Sequence, residues 1–135
     1  MKVFADTSYF EAIMSTRDQY HRIAIEASRL PWREIVTTEF ILLELGATFS
    51  NPVDRADFLL IDRMVRTRAD VSLIPASSDL LQHGRDLFAA RPDKEWSLTD
   101  CTSFVVMEEI GLTDALTTDQ HFTQAGFRAL LVAEH

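Results

Sequence analysis

Five short apolar runs, residues 2–5, 34–37, 71–75, 114–118 and 128–132, are separated along the chain by segments long enough to be helices. The runs are rich in Val, Ile, Leu and Thr, which suit a buried pleated surface. Between them, residues 20–30 place Ile23, Ala24, Ala27 and Leu30 at helical spacing before Pro31 closes the segment. Thr37 and Thr38 are N-cap candidates for a helix through Phe40, Leu43 and Leu45, which stops at Asn51-Pro52. Further helices are expected over 54–68, 78–90, 97–110 with Gly111 as its stop, and 119–125, with 91–94 as a polar loop. Parallel strands need helix-length crossovers. The alternation therefore predicts a three-layer α/β/α sandwich around a central parallel sheet of about five strands.

At 135 residues, one domain over 1–135 is expected, burying roughly two-thirds of the unfolded chain's surface. Apolar residues at 47% and charged residues at 25% are globular proportions and exclude a disordered or repetitive chain. The lone Cys101 cannot form an internal disulfide, the apolar stretch before Asp6 is too short for a signal peptide, and no run approaches the length of a membrane span. A cytoplasmic location is expected. The net charge of −8 runs against the basic excess usual in nucleic-acid binders. Binding depends on local patches, however, and carboxylates that hold divalent cations attract phosphate once loaded.

In an open α/β sheet, ligands bind beyond the carboxyl ends of the strands, so acids just after strands carry weight. Asp6 follows the first strand and Asp119 the fourth. Asp100 lies in the first turn of a helix starting at the same rim, and Glu44 about two turns into the helix after the second strand. Singly, each has a structural explanation: Asp6 and Asp119 as N-caps, and Asp100 as partner of Ser97 in a capping-box spacing. Glu44 is harder to explain, because its helical-wheel neighbours Phe40, Ile41, Ala47 and Thr48 offer it no positive charge. Carboxylates packed together repel unless a cation joins them, and an all-oxygen set suits Mg²⁺, with Mn²⁺ as the alternative. Zinc fits less well, since Cys101 and His121 form no close Cys/His pattern and His21 and His83 stand alone. His121, beside the rim, is a candidate substrate contact.

Four segments together resemble a known family: Val3-Phe4-Ala5-Asp6-Thr7-Ser8, Thr37 through Leu45 with Glu44, Ser97-Leu98-Thr99-Asp100-Cys101, and Ala115 through Phe122 with Asp119. In order and spacing the chain resembles the PIN domain, and within it the VapC-type toxins of toxin-antitoxin pairs, over essentially its whole length. That resemblance implies a PIN-like fold and a Mg²⁺-dependent endoribonuclease. Its catalytic and metal-holding quartet would be Asp6, Glu44, Asp100 and Asp119. It also implies that Thr7, Ser8, Ser97 and Thr117 supply hydroxyls that orient those acids or their waters. Hydrolysis by a metal-activated water would leave 5′-phosphate and 3′-hydroxyl ends. The implied partners are an RNA substrate, a small antitoxin that inserts a basic side chain among the acids, and a second copy in a homodimer. Apolar helix stretches over 23–30 and 58–65 are candidate antitoxin surfaces.

No RNA path is assigned. Arg63, Arg66 and Arg68 lie among Asp57, Asp62 and Asp70 and read better as a solvated or partner-facing helix, while Arg17 and Arg22 lie nearer Asp6 in the chain. Glu95 and Trp96 make a bulky, acidic approach to Asp100. A dehalogenase-type phosphatase would need an acid where Ser8 stands, and a receiver domain would need a lysine beyond Lys94. The remaining alternative is a catalytically silent PIN-like module that only binds protein.

Overall fold

The computed structural model describes residues 1–132, three short of the expected domain span. In chain order the elements are β1 (Lys2–Ala5), α1 (Thr7–Met14), α2 (His21–Ser28), β2 (Glu34–Thr38), α3 (Glu39–Thr48), α4 (Arg55–Thr67), β3 (Val71–Ile74), α5 (Ser78–Ala90), α6 (Leu98–Ile110), β4 (Asp114–Leu116), α7 (Gln120–Gln124) and β5 (Arg128–Ala129). The strands form one all-parallel sheet in the order β3-β2-β1-β4-β5, flanked by the helices in the expected α/β/α arrangement.

Burial follows from that order. Central β1 contributes Val3, Phe4 and Ala5, each fully buried, as a parallel strand covered on both faces requires. Edge strand β3 is only half-buried along its length. Phe4, Ile41, Leu45, Ile61, Met107, Leu116, Phe122 and Leu131 fill the core. Phe104 of α6 joins it to α7, with its ring centroid 4.9 Å from Phe122 and 5.0 Å from Trp96, edge-on to both.

The chain leaves β1 to build β2 and β3 on one side, then returns to build β4 and β5 on the other. The crevice between the carboxyl ends of β1 and β4 is therefore the point where strand order reverses, which is where such sheets bind ligands. Asp6 lies directly after β1, and Asp119 lies three residues after β4.

Of the elements that prove shorter than expected, three have a clear local reason. Helix α2 covers His21–Ser28 rather than 20–30, because the Trp32 indole donates to the Ala27 carbonyl (2.8 Å) and leaves Leu30 outside the core. Strand β4 ends at Leu116 rather than 118, because the Ser8 hydroxyl takes the Thr118 N–H (3.0 Å) and the Thr117 side chain turns to Asp6. Strand β5 ends at Ala129 rather than 132, although Leu130 and Leu131 still donate to Ala115 and Thr117 while the chain turns. Gly111, at φ +78°, ends α6 in the left-handed conformation that a side chain would strain. Helices α5 and α6 approach closely at Gly84, where an added Cβ would lie 2.6 Å from Thr102 Cγ2.

Candidate active site

Asp6 occupies the N-cap position of α1 yet makes no capping hydrogen bond. Its Oδ2 instead accepts from Ser8 Oγ (3.0 Å) and from Thr117 Oγ1 (2.8 Å), which reaches across from the end of β4. Thr117 Oγ1 in turn accepts the Asp119 N–H (3.0 Å), so two hydroxyls tie the ends of β1 and β4 to one carboxylate. Asp6 is only 5% exposed. Burial pushes its pKa up from 3.8 to about 7, and the nearby Asp100 charge pushes the same way, against the pull of the Thr117 and Ser8 hydroxyls.

Asp100 is a true capping-box residue. Its backbone N–H donates to Ser97 Oγ and its Oδ2 accepts the Ser97 N–H, both at 3.0 Å. The box fixes this buried carboxylate at the rim. Its pKa is raised, first by burial and then by the Asp119 charge, with the Ser97 N–H and His121 opposing. Asp119 caps α7 through the His121 N–H (2.8 Å).

His121 joins these acids. Its Nδ1 lies 3.1 Å from Asp100 Oδ2 and 3.3 Å from Asp119 Oδ1. Asp100, Asp119 and His121 each offer an atom within 4.8 Å of the other two. Asp6 is outside that trio but feels Asp100 electrostatically.

Glu44 stands differently from the expectation of a buried, unpartnered acid. It is half-buried, and its Oε1 accepts from Thr7 Oγ1 at 2.5 Å, one residue beyond Asp6. It also faces a second acid that the sequence did not single out. Glu11 of α1 has its pKa raised by burial, by the Glu44 charge and by Asp18, against a hydrogen bond from Thr48. The available signal was that Glu11 lies one helical turn after Thr7 and so shares its face. Among the described residues no Lys or Arg forms an ion pair with Asp6, Glu44, Asp100 or Asp119.

Surrounding features sort plainly. Arg66 pairs with Asp62 and Glu39, and Arg68 with Asp70, all at the surface. Trp96 does not obstruct the approach to Asp100: it is buried against Phe104, its indole N–H donates to Gln124 Oε1 (3.1 Å), and Arg91 lies over its ring. His21 binds the Ala12 carbonyl through Nδ1, and His83 faces Glu109 at the surface. No helix among the described residues is long and apolar enough to cross a membrane.

A parallel five-strand α/β/α sandwich with acids at its switch point is the PIN-like fold. The chain is similar to VapC20 of Mycobacterium tuberculosis, a 23S rRNA-specific endonuclease, with 26% identity over 127 residues, 93% of this chain and 95% of the relative. The crystal structure of VapC20, described as a sarcin-ricin loop cleaving toxin, superposes with a TM-score of 0.84 at 24% identity, covering 93% of this chain and 95% of that one. FitAcB from Neisseria gonorrhoeae (TM-score 0.65, 12% identity, coverage 96% and 95%) shares the fold. So does FitAB bound to an IR36 DNA fragment (TM-score 0.67, 14% identity, coverage 100% and 99%). No protein-family model matches the chain.

Proposed function

We propose that this protein is a metal-dependent endoribonuclease, the toxin of a toxin-antitoxin pair, in which Asp6, Glu44, Asp100 and Asp119 form the catalytic and metal-holding set. The observation that carries this reading is Asp6: a carboxylate at the switch point, 5% exposed, pushed to a pKa of about 7 beside a second buried acid and without a basic partner among the described residues. Such an arrangement is costly unless a cation completes it. The residues fit a hard divalent ion, since Asp6 and Asp100 present buried oxygen donors whose pKa values are raised first by burial and further by a neighbouring acid.

Asp6, Asp100 and Glu44 would hold Mg²⁺, directly or through water, and Asp119 would complete the outer side of the pocket. When bound, the ion supplies a water of lowered pKa and neutralises charge growing on the scissile phosphate. Thr117 and Ser8 fix the Asp6 carboxylate by donating to Oδ2. Thr7 holds Glu44, and the Ser97 capping box holds Asp100, so each acid presented to the ion is oriented by a hydroxyl or backbone N–H.

The likeness to VapC20 across both chains supports RNA as substrate, with ribosomal RNA the first to assay. An antitoxin is supported by exposed apolar side chains on two neighbouring helices and the turn between them: Leu43 on α3, Val53, and Leu59 and Leu60 on α4. The homodimer rests on the resemblance to VapC-type toxins alone. The test is cleavage of total RNA in Mg²⁺ or chelator with end-mapping. Cleavage giving 5′-phosphate ends, lost on chelation and in Asp6→Asn and Asp100→Asn, is the expected result. A well-folded protein that cuts no RNA in any divalent ion would leave the silent protein-binding module.

A further inference from the structure

The geometry points to His121 Nδ1 as a metal ligand: we propose that Asp100, Asp119 and His121 form a mixed nitrogen-oxygen site that takes a transition ion such as Mn²⁺ in preference to Mg²⁺. The proposal rests on the nuclease reading only in using the same acidic pocket.

Three features of His121 support it. First, Nδ1 lies against oxygens from two elements, Asp100 Oδ2 of α6 at 3.1 Å and Asp119 Oδ1 at the cap of α7 at 3.3 Å. Ligands in adjacent positions around an ion with bonds of about 2.1 Å stand roughly 3.0 to 3.4 Å apart, in octahedral or tetrahedral geometry. Both spacings fall in that window. Secondly, each oxygen already has a backbone donor, Asp100 Oδ2 from Ser97 N–H and Asp119 Oδ1 from His121 N–H. A single Nδ1–H can be aimed well at only one of them, whereas one cation can be shared by all three groups. Thirdly, the backbone that carries the ring is anchored, because the next residue, Phe122, is fully buried against Phe4 and Phe104.

The chemistry of the two halves of the pocket then differs. Around Asp6 the donors are oxygens alone, the set that suits Mg²⁺. Around Asp119 an imidazole enters, and imidazole favours ions later in the transition series. Asp100 belongs to both halves, since its Oδ2 touches His121 and its charge acts on Asp6.

The experiment is electron spin-echo spectroscopy of Mn²⁺ bound to the full chain, together with Mn²⁺ and Mg²⁺ affinities, for the wild type and His121→Ala. Wild type should show nitrogen coupling that changes when histidine is labelled with ¹⁵N, and His121→Ala should lose it. The Mn²⁺/Mg²⁺ affinity ratio should fall by about tenfold or more in that variant. Mn²⁺ bound without nitrogen coupling in wild type, or an unchanged ratio in a variant that melts like wild type, would overturn the proposal. The wild-type spectrum decides the matter even if His121→Ala fails to fold. RNA cleavage assayed in Mg²⁺ on the same samples separates the two readings: cleavage without nitrogen coupling refutes the ligand alone, and coupling without cleavage refutes the nuclease alone.

Discussion

Asp6→Asn should make the metal-free protein more stable at pH 8 and reduce the loss of its stability between pH 5 and pH 8, with Asp100 and Glu11 accounting for part of what remains. In the folded chain the carboxyl titrates at about 7, against 3.8 for its ordinary value. Between those values the native state holds a proton that the unfolded chain has released. Stability therefore falls as pH rises from about 4, and the penalty is complete above about 7. At 1.36 kcal/mol per unit the full difference is up to about 4 kcal/mol, on the order of 10 °C in melting temperature for a chain of this size. Asparagine keeps an oxygen for the Ser8 and Thr117 hydroxyls and removes the charge, so the penalty goes while the hydrogen bonds stay.

The assay is urea unfolding in chelator at both pH values, for wild type and Asp6→Asn, repeated with Mg²⁺. Mg²⁺ should recover most of the wild-type loss at pH 8 and do little for the variant. If Asp6→Asn is no more stable than wild type at pH 8, or loses stability with pH as steeply, then Asp6 is not a buried, uncompensated carboxylate and the electrostatic case for the site fails.

Thr117→Val removes both the donor to Asp6 and the acceptor of the Asp119 N–H; urea unfolding should show a loss of about 1–3 kcal/mol, with RNA cleavage reduced. Gly84→Ala places a methyl 2.6 Å from Thr102 Cγ2, so overpacking of about 1–3 kcal/mol should exceed the roughly 1 kcal/mol gained in helix propensity. Thr102→Ser in the same chain, which deletes that methyl and keeps the hydroxyl bonded to Thr99, should restore the melting temperature. Glu11→Gln should stabilise the metal-free protein at pH 8 but not at pH 4, because the Glu11 pKa is raised by burial and by Glu44. An equal effect at both pH values in thermal melts would refute that assignment.

The residues foreseen at the rim and those missed differ in how they reach it. Asp6, Thr117 and Asp119 are placed by strand ends, and in a parallel sheet the end of an apolar run is visible in the sequence. Asp100 was visible for another local reason, the Ser97-to-Asp100 spacing that caps its helix. Glu11 was not visible, because its meeting with Glu44 depends on how α1 packs against α3, and a half-buried acid on an eight-residue helix reads as a solvated side chain. His121 was named beside the rim as a candidate substrate contact, but its pairing with Asp100 was not visible. It is next but one to Asp119 in the chain, yet its contact with Asp100 needs α7 packed on α6 through Phe104 and Phe122. Strand ends were overread in the same way: runs of 114–118 and 128–132 looked uniform, while the structure cuts them short where side-chain hydroxyls and a turn take over the backbone. A pattern of period two marks where a strand points, but it cannot register that Thr117 serves a carboxylate 111 positions away. The oxygen half of this pocket is thus written largely in strand ends and a helix cap, and the half that gives it nitrogen only in the packing of two helices.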